Sequence, residues 1–332
     1  MQKIAILILA HKKPTQLLRL VYAMDDKRFD LFIHIDAKSN IIPFRDILKG
    51  LNLKSNVLFV ENRVKTYFFD YSLIEATCRC AELAFSIGDY KYYILLSGQD
   101  YPIKSKDYIY TKLIENYPMC WIDMYNVAEA EKRGVNWVKN IGHYYVSQKM
   151  RRLLLDLVGP KFYFSQYGKS VKLFAVIYDR IKTALGYSPR LKLSSTSFKY
   201  SAGSHFWMLP DIAIKHILEC FHNEKKLNNI FHHIGAPEES YFQTALSTMR
   251  GGCLLPEEWS QFKKVENEMD NPALRLIKWY ENGVKTDGHP AIWEINDLPH
   301  ILQAKALFAR KFDESIDHII LDKLDCYNNK LE

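Results

Sequence analysis

The sequence has no glycine-rich phosphate loop: neither GxGxxG after its first apolar run nor GxxxxGK[ST] anywhere in its 332 residues. The usual dinucleotide and P-loop readings therefore lose the backbone amides that cradle a phosphate. Its six cysteines, Cys78, Cys80, Cys120, Cys220, Cys253 and Cys326, include no CxxC pair. That scatter argues against a zinc module and against a dense disulfide framework, and free thiols in a reducing compartment are expected. The apolar run nearest the start, Ile4 to Ala10, is seven residues long and follows Lys3, against roughly 20 needed to span a bilayer. It lacks a cleavage-site pattern and reads as a first strand, so neither a signal peptide nor a membrane anchor is expected. Internal repeats and low-complexity linkers are also missing, which favours one compact body, 1–332, over separable domains.

What is present is an ordinary globular composition, 48% hydrophobic and 25% charged, with the charge unevenly spread. Twelve Lys or Arg between Lys139 and Tyr200 stand against Asp156 and Asp179, so that stretch carries +10 of a total of +7 and the rest sums to −3. Phe162, Tyr163, Phe164, Tyr167, Phe174 and Tyr178 are interleaved with it. The mixture suits an anionic membrane surface or an anionic carbohydrate, or else it is a solvated basic face. No nucleic-acid partner is expected, because no helix-turn-helix, zinc-finger or RNA-recognition signature accompanies the charge.

Strands and helices alternate through the first part of the chain. Lys3 to Ala10, Leu31 to Asp36, Asn56 to Val60, the run ending at Asp100, and Met119 to Asp123 read as strands. Pro14 to Met24, Tyr71 to Ile87 and Lys106 to Glu115 read as helices, with Ser72 and Glu75 matching a capping box. This order predicts an α/β fold with a mainly parallel sheet and helices on both faces. Residues 127–199 read as a basic helical insertion. From Tyr200 a loop feeds a strand at Trp207, a helix follows Asp211, and Pro237-Glu238-Glu239 opens another.

Ligands of open α/β sheets sit beyond the carboxyl ends of the strands. Asp100, in Ser97-Gly98-Gln99-Asp100-Tyr101-Pro102, is placed there, as a ligand contact or as a turn acid. Glu238 and Glu239 either serve a helix dipole or form a carboxylate site beside His205 and its aromatic neighbours, where an acid can take the proton of an attacking hydroxyl. Arg310 and Lys311 sit in an apolar stretch, either covering core with their stems or holding a diphosphate.

The segments His34 to Ser39, SGQDYPIK from Ser97 to Lys104, Gly203-Ser204, PEESYFQT from Pro237 to Thr244 and LFARKFD from Leu307 to Asp313 occur in one order and spacing. In these the chain resembles the core-2/I-branching β-1,6-N-acetylglucosaminyltransferase family, which also contains the peptide O-xylosyltransferases, over roughly residues 2 to 315. The resemblance implies a glycosyltransferase A-type (Rossmann-like) fold and an inverting, metal-independent glycosyltransferase using a UDP-sugar. N-acetylglucosamine, passed in β-1,6 linkage to a glycan acceptor, is the expected sugar; xylose is the alternative, and an inactive carbohydrate-binding protein the alternative from another class. It further implies Glu239 as general base, Lys311 with Arg310 on the UDP diphosphate, Asp36 and His11 at the uridine, and Asp100 near the donor sugar. Gly203, Ser204, Trp207 and Glu238 fall on the acceptor side. No metal and no other cofactor is expected. Residues 1–126 become the nucleotide-sugar half and 200–332 the acceptor-binding and catalytic half.

The chain departs from the pattern in two places. Many bacterial members have Trp-Gly-Gly before the Tyr-Ser of the third helix, and here Phe68-Phe69-Asp70 precedes Tyr71-Ser72. The second basic phosphate contact of the animal enzymes has only His289 as a weak counterpart. Without the anchor and paired cysteines of luminal members, a bacterial enzyme of polysaccharide biosynthesis is expected. Its expected location is cytoplasmic, peripheral at the inner membrane face, with a lipid-linked or anionic glycan as the expected acceptor.

Overall fold

The computed structural model describes residues 1–126, 148–158, 196–255, 272–281, 284–286 and 290–330, with single positions at 173, 177, 180, 181, 184, 185 and 193. The first strand, β1 (Lys3–Ala10), is a run of aliphatics and lies between β2 (Phe29–Ile35) and β4 (Tyr90–Ser97), parallel to both. Strand β3 (Val57–Phe59) extends the parallel set beyond β2. On the other side, β9 (Trp207–Pro210) runs antiparallel to β4 and pairs with β6 (Trp121–Ile122) at the edge. The six-stranded order is β3-β2-β1-β4-β9-β6, so the expected mainly parallel α/β sheet is present.

Strand residues alternate between faces, and both faces of β1 are covered, which explains its unbroken apolar sequence. Ile4, Ile6 and Ile8 join one core with Leu17, Leu20 and Val21 of α1 (Pro14–Ala23) and with Ile109 and Leu113 of α4 (Lys106–Glu115). Ala5 and Leu7 join the other with Ile74, Cys78 and Ala81 of α3 (Ser72–Ile87) and Ala213, Ile214 and Ile217 of the helix Asp211–Asn223. Ser105 caps α4, accepting from the Tyr108 amide at 3.2 Å. The capping box expected at Ser72 does not form. Asp70 accepts from the Ser72 amide at 2.8 Å, which moves Ser72 inside the helix, and Ser72 Oγ accepts from the Tyr67 amide instead.

The strand expected to reach Asp100 stops at Ser97, and the chain turns into a second, smaller sheet. There β13 (Phe308–Arg310) is central, antiparallel to β5 (Asp100–Pro102) and parallel to β10 (Arg275–Ile277). Most of the basic segment 127–199 lies outside the described residues, but its helix Gln148–Val158 is tied to the turn before α3. Arg152 reaches Asp70 through two nitrogens at 2.6 and 3.0 Å, and the Tyr67 hydroxyl donates to Asp156. Among the described residues no helix is long and apolar enough to cross a membrane.

Candidate active site

A cleft of about 750 Å³ opens beyond the carboxyl ends of β1, β2 and β4 and is closed on its far side by the small sheet. The topology puts it there because β1 and β4 end side by side. Gly98 lies so close to Ala10 that a Cβ on it would come within 3.1 Å of the alanine methyl. His11 and Asp36 enter from strand ends, Ser204 from the loop before β9, Glu238 and Glu239 from a 3₁₀ turn, and Arg310 and Lys311 from the end of β13.

Glu239 is the titratable group most fitted to proton transfer. Its turn, Pro237–Glu239, is separate from the six-residue helix Tyr241–Leu246, so its place is set by the turn, not by a helix dipole. Burial pushes its carboxyl up to about 7, and the nearby Asp123 carboxylate adds to the rise. Asp123 is itself raised to about 6 by burial, opposed by hydrogen bonds from the Tyr125 hydroxyl and the Ser204 amide. A base with its pKa near neutrality combines a populated carboxylate with a useful affinity for the proton. His205, stacked on Phe242, is pushed down to about 3 by burial and then by Arg310, so it is neutral.

The cations Arg310 and Lys311 line the same cleft. Arg310 lies 4.1 Å from the Phe206 ring centroid, and neither it nor Lys311 makes an ion pair or side-chain hydrogen bond among the described residues. Burial lowers the pKa of both, and for Lys311 the neighbouring Arg310 and Lys12 lower it further. Two partly desolvated cations side by side without carboxylate partners are a prepared place for an anion. A carboxylate and two cations lining one cleft give it the parts for deprotonating one group while stabilising the departure of another.

A family model for core-2/I-branching enzymes matches residues 4–305. The chain belongs to that family. It is a family of glycosyltransferases, and it gives the cleft a sugar donor and a glycan acceptor as its class of ligands. The match stops short of Arg310 and Lys311, so their place in the cleft rests on geometry. Among curated proteins none matches the chain.

In this branching-family member three sequence candidates stand behind the cleft instead of lining it. Asp100 is 1% exposed and its Oδ1 takes Arg275 Nη1 at 2.7 Å, while its other oxygen accepts from the Ser97 amide and hydroxyl. The turn at Ser97 carries it away from the cleft into the seam between the two sheets. Trp207 is fully buried beneath Phe242. Gly203 is a packing residue: a Cβ there would fall 1.7 Å from the Asp123 carbonyl oxygen, and its amide donates to the Glu239 carbonyl at 2.8 Å. Gly203→Ala is therefore expected to displace the Glu239 turn, lowering the thermal midpoint and transfer together, while Ser204→Ala leaves the midpoint unchanged. A Gly203→Ala protein as stable and active as the parent would refute the close approach.

Asp36 lines the cleft with both oxygens engaged, one accepting from the Lys38 amide at 2.8 Å and the other from Thr66 Oγ1 at 2.6 Å. His289 lies outside the described residues. Asp123, Lys12 and Phe206 were not singled out by sequence reasoning; the acid ending the Trp121-Ile122-Asp123 strand was the one available signal. Phe69 occupies a left-handed backbone conformation, φ 56°, at a position where the bacterial pattern has glycine. Such a conformation strains a side-chain-bearing residue. The adjoining departure, Asp70, is the acid that holds Arg152.

Proposed function

We propose that the chain is an inverting glycosyltransferase that moves N-acetylglucosamine, in β-1,6 linkage, from a UDP-sugar to a glycan hydroxyl without a metal ion. The observation that carries the reading is that Glu239, with its pKa near 7, shares one cleft with Arg310 and Lys311. Glu239 takes the proton of the acceptor hydroxyl, whose oxygen attacks the anomeric carbon. The bond from that carbon to the diphosphate breaks with its electron pair leaving on UDP, on the face opposite the attack. Arg310 and Lys311 meet the added negative charge, the task a divalent ion performs in other sites. Asp36 and His11 border the uridine, and Ser204 and Glu238 the acceptor. The acceptor belongs to a bacterial polysaccharide.

UDP release from UDP-GlcNAc, UDP-xylose, UDP-GalNAc and UDP-glucose, with and without a chelator, tests the reading. Release from none would leave a binding protein, and loss with the chelator would overturn metal independence. Lys311→Ala is expected to weaken UDP binding by about 10- to 100-fold, the worth of one charge-assisted contact. Calorimetry with UDP measures it, and unchanged affinity removes Lys311 from its role.

A further inference from the structure

The loop Gly203-Ser204-His205-Phe206 joins the two ends of the proposed chemistry. At its start the Gly203 amide donates to the Glu239 carbonyl at 2.8 Å and the Ser204 amide to Asp123 Oδ2 at 3.2 Å, which ties it to the turn of the base. At its end the Phe206 ring centroid lies 4.1 Å from the Arg310 guanidinium, which ties it to the cations. Between them Ser204 Oγ accepts from the Phe206 amide at 3.4 Å, a tight turn that sets His205 at its tip. His205 lines the cleft, and its ring stacks on Phe242 with 16° between the planes and 6.1 Å between the centroids. The ring is partly open to the cleft, while its Nε2 is buried and has no hydrogen-bond partner among the described residues. A buried polar atom without a partner is costly, and in a folded protein it calls for a reason.

In an inverting displacement the sugar ring lies between the incoming hydroxyl, at Glu239, and the departing diphosphate, at Arg310 and Lys311. A residue whose chain neighbours are tied to those two ends flanks that ring. We propose that His205 hydrogen-bonds a hydroxyl of the transferred sugar and so takes part in choosing the donor. The imidazole is neutral and offers one N–H and one lone pair. A sugar hydroxyl both donates and accepts, so it can meet either. A site built to bond a hydroxyl rejects an analogue lacking it far more strongly than an apolar pocket rejects a missing methylene. The assignment rests on the transfer reading and deepens it: Glu239, Arg310 and Lys311 serve the bonds that form and break, whereas His205 reads the sugar.

Calorimetry of the full chain with UDP, UDP-GlcNAc and UDP-xylose tests it. His205→Phe keeps a flat ring on Phe242 but removes both nitrogens. It should weaken the nucleotide sugar that the parent prefers by about tenfold. Affinity for UDP alone and the thermal midpoint should stay as in the parent. His205→Asn, which keeps a donor and an acceptor close to the backbone, should recover part of the lost sugar affinity. Should His205→Phe not fold, His205→Ala carries the same comparison, with UDP as its internal control. Equal losses for UDP and the nucleotide sugar, or no loss for either, overturn the assignment. So does a parent that binds UDP and both nucleotide sugars equally, a result that leaves the transfer reading standing. A parent that binds none of the three takes down the transfer reading and His205 with it.

Discussion

Glu239→Gln is expected to lower sugar transfer by about 10²–10⁴ while leaving UDP-sugar binding intact, because the amide keeps the shape of the acid but cannot take a proton. Calorimetry with the donor and UDP release with donor plus acceptor separate the two effects, and undiminished turnover would sink the assignment. In the parent, transfer should fall as pH drops through about 7, where the Glu239 carboxylate is protonated. Stability moves the other way. A carboxyl whose folded pKa is raised from 4.5 to about 7 holds its proton more tightly folded than unfolded. Its contribution is present at acid pH and is lost as pH rises through that window. The glutamine variant should consequently melt higher than the parent above pH 7 and converge with it at low pH.

Asp100→Ala is expected to cost about 3–5 kcal/mol of stability, since it strands a fully buried guanidinium without its partner. Arg275 is 0% exposed, donates to Asp100 and to the Leu95 carbonyl, and lies between the Phe206 and Phe308 rings. Burial has already depressed its pKa to about 10, with Arg310 pushing the same way and Asp100 opposing. Replacing both partners, Asp100→Leu with Arg275→Met, should recover much of the loss, because neither charge is then left alone. Denaturant midpoints measure this series. If Asp100→Ala folded normally and raised only the KM for the donor, Asp100 would belong at the sugar and the seam would not be its role.

The contrast between Asp100 and Glu239 shows what residue order conveys. Strand periodicity and capping are local, so β1 and the helix at Lys106 are legible from their own residues. The end of an apolar run also announces the cleft edge correctly. Whether an acid there faces ligand depends on a partner 175 positions away, Arg275, and no local pattern carries that information. Gly203 looks like a loop glycine suited to contact an acceptor, and only the approach of the Asp123 carbonyl gives its absent side chain a purpose. Asp123 itself reads as an unremarked strand end until the fold sets it beside the Glu239 turn. Arg310 and Lys311, by contrast, are cations in an apolar run, a local conflict that points to special use before any fold is known.

The central strand of the small sheet, β13, follows every strand of the large sheet in the chain. Domains assemble as their segments leave the ribosome, and the large sheet has all its strands once residue 210 has emerged. A nascent chain at that stage has the wall bearing His11 and Asp36 but neither the Glu239 turn nor Arg310 and Lys311. On the proposed reading, the cleft can hold its donor only after residues 308–311 have followed the large sheet off the ribosome.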